Sequence, residues 1–165
     1  MLISEIRSNQ IMPFEIEDTK LIKLFSFFLH SAPTTSSASA MNIDVQRLEN
    51  NWNAFINDID HKNYIIIPDN QRIEDYFERY SFLPNSTVNR LSKGFVCKRK
   101  GKDETDYACV LRHLRNAIAH SHVFMNDKGN RKYILFEDYN NTGKQSSILL
   151  FSQADLSKLK KIIVR

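Results

Sequence analysis

Glycine and proline are scarce, with four of each in 165 residues. Sandwiches and barrels consume many such turn residues, so the shortage favours helices. Cysteine is scarcer still. Cys97 and Cys109 alone make no disulfide framework, and a reducing, cytoplasmic compartment is the expectation. No apolar run approaches the roughly 18 residues that cross a bilayer, so no membrane partner is expected. The opening Met1-Leu2-Ile3-Ser4-Glu5 lacks a basic start followed by an apolar stretch, and no secretory leader is expected. Also missing are a Walker or other phosphate-cradling glycine loop, a convincing Ser-His-Asp set and paired carboxylates. Nothing calls for a cofactor. Cys109 and His113 stand at i and i+4, and His120-Ser121-His122 adds candidates, but no second paired set follows at metal-site spacing. No metal site is expected.

What remains is an ordinary globular composition, 42% hydrophobic and 25% charged, of a length that suits one domain over 1–165. The net charge of +4 permits a nucleic-acid partner without demanding one. The spacing predicts a short helix within residues 1–10 and an apolar helix over 17–30, with Leu21, Leu24, Phe25 and Phe28 as its stripe. Residues 31–40, rich in Ser, Thr and Ala, read as a loop. Asn42 or Asp44 would then cap a helix to about Asp60, with Val45, Leu48, Trp52, Phe55, Ile56 and Ile59 facing inward. Tyr64–Pro68 reads as a brief extended segment. Gln71–Tyr80 reads as a helix, and Ser86–Leu91 as a shorter one ending near Gly94. Lys132–Tyr139 and Ser147–Phe151 read as two strands of a hairpin, followed by a last helix over 153–163. The expected fold is therefore mainly α, a helical bundle with a C-terminal β-hairpin.

Chemistry concentrates in Leu111-Arg112-His113-Leu114-Arg115-Asn116-Ala117-Ile118-Ala119-His120-Ser121-His122. Tyr107, Val110, Leu111, Leu114 and Ile118 make one apolar helical face, with Thr105 as the expected N-cap and Asp106 in the first turn. Near the end of that helix stand a guanidinium, an amide and an imidazole: Arg115, Asn116 and His120. An imidazole exchanges protons near neutral pH, and a guanidinium can clamp a phosphate through two parallel hydrogen bonds. That combination suits phosphodiester chemistry. Lys98-Arg99-Lys100-Gly101-Lys102 lies just upstream, either a solvated loop or an RNA-backbone contact.

Arg115-Asn116-Ala117-Ile118-Ala119-His120 resembles the signature of the HEPN superfamily: Arg, a neighbouring polar residue and, after a short gap, His. The resemblance implies a small helical protein of a kind that is often a metal-independent endoribonuclease in bacterial toxin and defence systems. It implies a homodimer whose active site forms where two copies of the motif meet, and a 2′,3′-cyclic phosphate product. Arg115 would stabilise the charged transition state, Asn116 would orient His120 or the substrate, and His120 would act as general base or acid. His122, Lys98, Arg99, Lys100 and Lys102 are the candidate substrate contacts. An antitoxin or regulatory protein is a further expected partner. In one branch of the family the antitoxin modifies a tyrosine two residues after the His; here His122 holds that place, which puts that mode of control in question.

One geometric problem stands against a simple site. Arg115 and His120 are five residues apart, which on a regular helix separates them by about 140°. Either the helix ends near Ala119, or Arg115 reaches round, or each site draws on two chains. Two blander alternatives also stand: a catalytically silent HEPN-like module that binds nucleic acid, nucleotide or protein, and a purely structural end-of-helix cluster.

Overall fold

A computed structural model of the chain describes residues 1–30, 45–59 and 63–164. The 31–40 loop and the Asn42 or Asp44 cap fall outside these. Among the described residues there are five α-helices: α1 (Ile3–Arg7), α2 (Thr19–His30), α3 (Val45–Asn57), α4 (Asp106–Ala119) and α5 (Gln153–Val164). Six strands, β1 (Gln10–Ile11), β2 (Tyr64–Ile67), β3 (Gly94–Lys98), β4 (Val123–Met125), β5 (Tyr133–Tyr139) and β6 (Gln145–Ser152), form one sheet in the order β1-β4-β5-β6-β3-β2. All neighbours pair antiparallel except β2 and β3, which are parallel.

This overturns the helical bundle. The expected hairpin exists, as β5 and β6, but it is the centre of a six-stranded mixed sheet and the protein is an α/β fold. Side chains alternate between the sheet's two faces, and both faces are covered. On one side Phe95, Cys97, Ile134, Phe136, Leu149 and Phe151 pack with the apolar stripes of α2 to α5. On the other, Val96, Leu135, Ile148 and Leu150 pack with Ile3 and Ile6 of α1 and with Ile67, Ile73, Phe77, Tyr80, Phe82 and Val88. A sheet buried on both faces reads as an unbroken apolar run, so the strand period is muted.

The second layer holds two further corrections. Where a helix was expected over 71–80, the chain makes one 3-10 turn (Ile73–Tyr76) and loose turns around it. Where one was expected over 86–91, Thr87 bridges to Leu2 and the rest is turn. Apolar residues three and four apart serve a string of turns lying flat on a sheet as well as they serve a helix. This segment is the crossover joining β2 to its parallel neighbour β3, and Gly94 closes it. A Cβ there would lie 1.8 Å from the Asn63 carbonyl oxygen, so no larger residue fits.

The remaining helices follow their local chemistry. Asp18 Oδ1 accepts the Leu21 N–H at 3.0 Å and caps α2. Ser152 and Asp155 exchange side-chain-to-backbone hydrogen bonds of 2.9 and 3.1 Å, a capping box that starts α5 directly from β6. Thr105 precedes α4 with an extended backbone but makes no capping bond, and its hydroxyl is buried without a partner. Trp52 is a core anchor, its ring centroid 5.6 Å from that of Phe55 and 6.4 Å from that of Phe95.

Candidate active site

The inner face of α4 packs on the sheet through Tyr107, Val110, Leu111, Leu114 and Ile118, which turns the Arg112–Asn116 side of the helix toward β3 and the end of β5. Three groups there are tied by buried polar contacts. His113 Nδ1 lies 2.9 Å from Asp138 Oδ2, and its Nε2 lies 2.8 Å from the Lys98 carbonyl oxygen. Both ring nitrogens are therefore held by buried polar neighbours. Asn116 Nδ2 donates to the same Asp138 oxygen at 3.1 Å. Burial alone would push the Asp138 carboxyl up; the hydrogen bonds from His113 and Asn116 outweigh it and hold the group below the ordinary carboxylate range.

Asp138 reaches α4 because it shares the helix-facing side of β5 with Ile134 and Phe136, and the sheet becomes irregular just beyond it. Asp138 pairs with Ser147 and Tyr139 with Gln145, so Ser146 has no opposite number. Such a bulge re-aims the strand beside a site.

The basic stretch 98–102 is fastened rather than loose. Arg112 forms a two-pronged pair with Glu104 at 2.7 and 3.0 Å and also donates to the Lys98 carbonyl at 3.1 Å. Arg99 donates to the Glu104 carbonyl and to Asp106, both at 2.7 Å. Burial would raise the Glu104 carboxyl, but the Arg112 guanidinium and the Lys100 N–H together outweigh it and leave it lowered. The result is a cleft of about 410 Å³ lined by Lys98, Arg99, Lys100, Arg112 and Arg115 against two carboxylates, Asp69 and Asp138. Among the described residues Arg115 makes no hydrogen bond or ion pair, and the ammonium groups of Lys98 and Lys100 are equally free. An unpaired, half-buried guanidinium beside a fixed amide is arranged for an anion that comes from outside.

The expected residues thus divide. Arg115, Asn116, Lys98, Arg99 and Lys100 line this cleft; Lys102 lines an adjoining one of about 640 Å³ that shares Asp69 and Arg99 with it. His120 and His122 line neither. Helix α4 ends at Ala119, yet this does not bring His120 into the cleft that Arg115 lines. The Ser121 N–H bonds to the Ile118 carbonyl at 3.2 Å, and the His122 N–H to the Ala117 carbonyl at 2.8 Å. Ser121 takes φ +57°, the left-handed residue such a closure needs and usually a glycine. His120 is left exposed, its ring centroid 6.1 Å from that of His122, which stands edge-on to Tyr139 at 5.0 Å. The Nδ1 of His122 is buried without a partner.

Sequence reasoning missed Asp138, His113, Arg112 and Glu104. Two signals were available: His113 falls among the apolar residues of α4, and Glu137-Asp138 interrupts a strand whose neighbours are apolar. Cys109 and His113, a zinc-compatible pair by spacing, have other contacts: Cys109 Sγ donates to the Lys98 carbonyl at 3.3 Å, and His113 is occupied as described. No cluster of three or more His, Cys, Asp or Glu able to hold a metal occurs among the described residues.

An α/β domain with an arginine-lined cleft beside helix α4 is what the fold and site define. The sequence profile of the family described as HEPN pEK499 p136 matches residues 11–164, nearly the whole chain, and the protein belongs to that HEPN family. Comparison with curated proteins and with solved structures finds no match. No helix among the described residues is long and apolar enough to cross a membrane.

Proposed function

We propose that the protein is a metal-independent endoribonuclease that works as a homodimer in the cytoplasm, as a toxin or anti-phage effector. The observation that carries this reading is Arg115: a guanidinium with no partner of its own, in a cationic cleft, next to an amide fixed by Asp138. In the reaction, the 2′-oxygen of one nucleotide attacks the adjacent phosphorus and loses its proton to a base. The bond to the 5′-oxygen of the next nucleotide breaks, and that oxygen takes up a proton. The products are a 2′,3′-cyclic phosphate and a 5′-hydroxyl. His120 supplies proton transfer. Arg115 holds the phosphoryl oxygens as negative charge builds, a contribution of about 3 kcal/mol for one well-placed donor. Asn116, oriented by Asp138, fixes the phosphate or the imidazole.

Two features support a second chain at the site. His120 is exposed and does not line the cleft that Arg115 lines. The Gln10 amide bonds to the Ser121 carbonyl at 2.6 Å, and just beyond Gln10 the chain exposes Met12 (51%) and Phe14 (43%). An apolar edge beside the histidine end of the motif suits a two-fold contact, in which each His120 would serve its partner's Arg115. The same displacement of His120 favours the second reading, a silent module that binds RNA without cutting it.

Cleavage of end-labelled RNA in EDTA, with Arg115→Ala and His120→Ala alongside, separates the two. Cutting by the wild type that both variants lose, leaving cyclic-phosphate ends, supports the enzyme. Binding without cutting by a dimeric wild type supports the silent module.

A further inference from the structure

The cleft that holds Arg115 does not stop at the motif. Its far wall is the loop joining β5 to β6, and a second cleft of about 540 Å³ opens on the other side, sharing Lys98 and Tyr139 with the first. The loop is built as a rigid divider. Asn140 Oδ1 accepts from the Thr142 N–H at 3.0 Å, the Thr142 hydroxyl at 2.8 Å and the Lys144 N–H at 2.9 Å, while Gly143 takes the left-handed conformation at φ +80°. Pinned in this way, the loop presents Asn141 to the Arg115 cleft and Lys144 to the second, with Tyr139 at the junction. The amide of Asn141 and the ammonium of Lys144 have no partner among the described residues. The three groups supply what an unpaired nucleotide needs: an aromatic ring, an amide that can both give and accept a hydrogen bond, and a cation for the next phosphate.

We propose that the β5–β6 loop is the base-reading element of a single-stranded RNA groove, with Tyr139 as stacking platform, Asn141 as reader of the base edge beside the scissile phosphate, and Lys144 as clamp on the following phosphate. This rests on the ribonuclease reading for the position of the scissile phosphate, but the groove itself does not. Two side-by-side pockets divided by a loop accept a chain of splayed nucleotides. A duplex keeps its bases stacked inside and would present neither base to the loop.

The test has two arms. In the first, a fluorescent ten-nucleotide RNA of mixed sequence binds to protein carrying His120→Ala, with and without Tyr139→Leu, Tyr139→Phe or Lys144→Ala. Tyr139→Leu should weaken binding about 10-fold, while Tyr139→Phe retains it. Lys144→Ala should reduce the slope of log affinity against log salt by about one. The same strand annealed to its complement should bind more weakly. In the second arm, the 5′-hydroxyl ends released from a random RNA pool are sequenced for wild type and Asn141→Ala, and the base preference next to the cut should relax or change. Binding unaffected by Tyr139→Leu and Lys144→Ala, or tighter binding of the duplex, overturns the groove even where RNA is cut. An unchanged preference with Asn141→Ala overturns its role as reader. Loop-dependent binding by a protein that never cuts RNA would leave the groove standing and remove the ribonuclease.

Discussion

Asp138→Ala is the most informative single substitution, because one carboxylate organises both the fold near the site and the site itself. It removes the acceptor for His113 Nδ1, for Asn116 Nδ2 and for the Tyr139 N–H, bonded at 2.9, 3.1 and 2.8 Å. The Asp138 side chain is 3% exposed and that of His113 1%, so water cannot replace what is lost. Each buried donor left unpaired costs about 1–3 kcal/mol, and breaking a buried pair about 3–5 kcal/mol in all. For a chain of this length that lowers the melting midpoint by about 10 °C. The sign of the pH dependence follows from the lowered Asp138 pKa. A carboxyl whose folded-state pKa is depressed stabilises the fold above its unfolded pKa, and the contribution disappears as pH falls through the folded value. The gap between wild type and Asp138→Ala should therefore be full at neutral pH and close below about pH 4. Urea titrations of both proteins across that range measure it. A loss under about 1 kcal/mol at pH 7, or a gap that persists in acid, would refute the account of Asp138 as the organising group.

Arginine neighbours should behave oppositely: Arg115→Ala, which breaks no contact, should change stability by less than about 1 kcal/mol while abolishing cleavage, whereas Arg112→Ala, which strands Glu104, should cost about 2–3 kcal/mol by denaturant melt. Gly94→Ala drives a methyl group into the Asn63 carbonyl and should cost about 3 kcal/mol or more or prevent soluble expression; a melt within 1 kcal/mol of wild type would contradict the tight crossover. Ser121→Gly relieves a left-handed serine and should raise the urea midpoint by about 0.5–1 kcal/mol of stability. Burial pushes the Cys109 thiol up to about 12 and also raises the Cys97 thiol, so neither should react with a thiol reagent at pH 8 until the protein unfolds; fast labelling of the native protein would show the account of the core to be wrong.

The four long helices and the hairpin were legible because each carries its own periodicity; most of their inward residues are buried, while Ile56 is only partly so. The sheet around the hairpin was not. β1 and β4 are two and three residues long, and β1 declares itself only through pairing with β4 across more than a hundred residues. Phe95-Val96-Cys97 is too short an apolar run to distinguish from the end of a helix, and its parallel partner lies beyond a crossover that mimics helical spacing. At the site, Arg115 and Asn116 could be read because the helix places them side by side. Asp138 could not, since it meets Asn116 only through the packing of β5 on α4, 22 residues apart in the chain.

The sheet order also bears on when the cleft can form. Its two central strands, β5 and β6, are the last strands to be synthesised, and the earlier ones, β1 to β4, dock outward from them. Such long-range pairing folds slowly, because loop closure must precede every rewarding contact. On the ribosome, the first 132 residues have neither the centre of the sheet nor the carboxylate that orients Asn116. The centre of the sheet and the contact that orients Asn116 therefore form only after residue 152 has emerged.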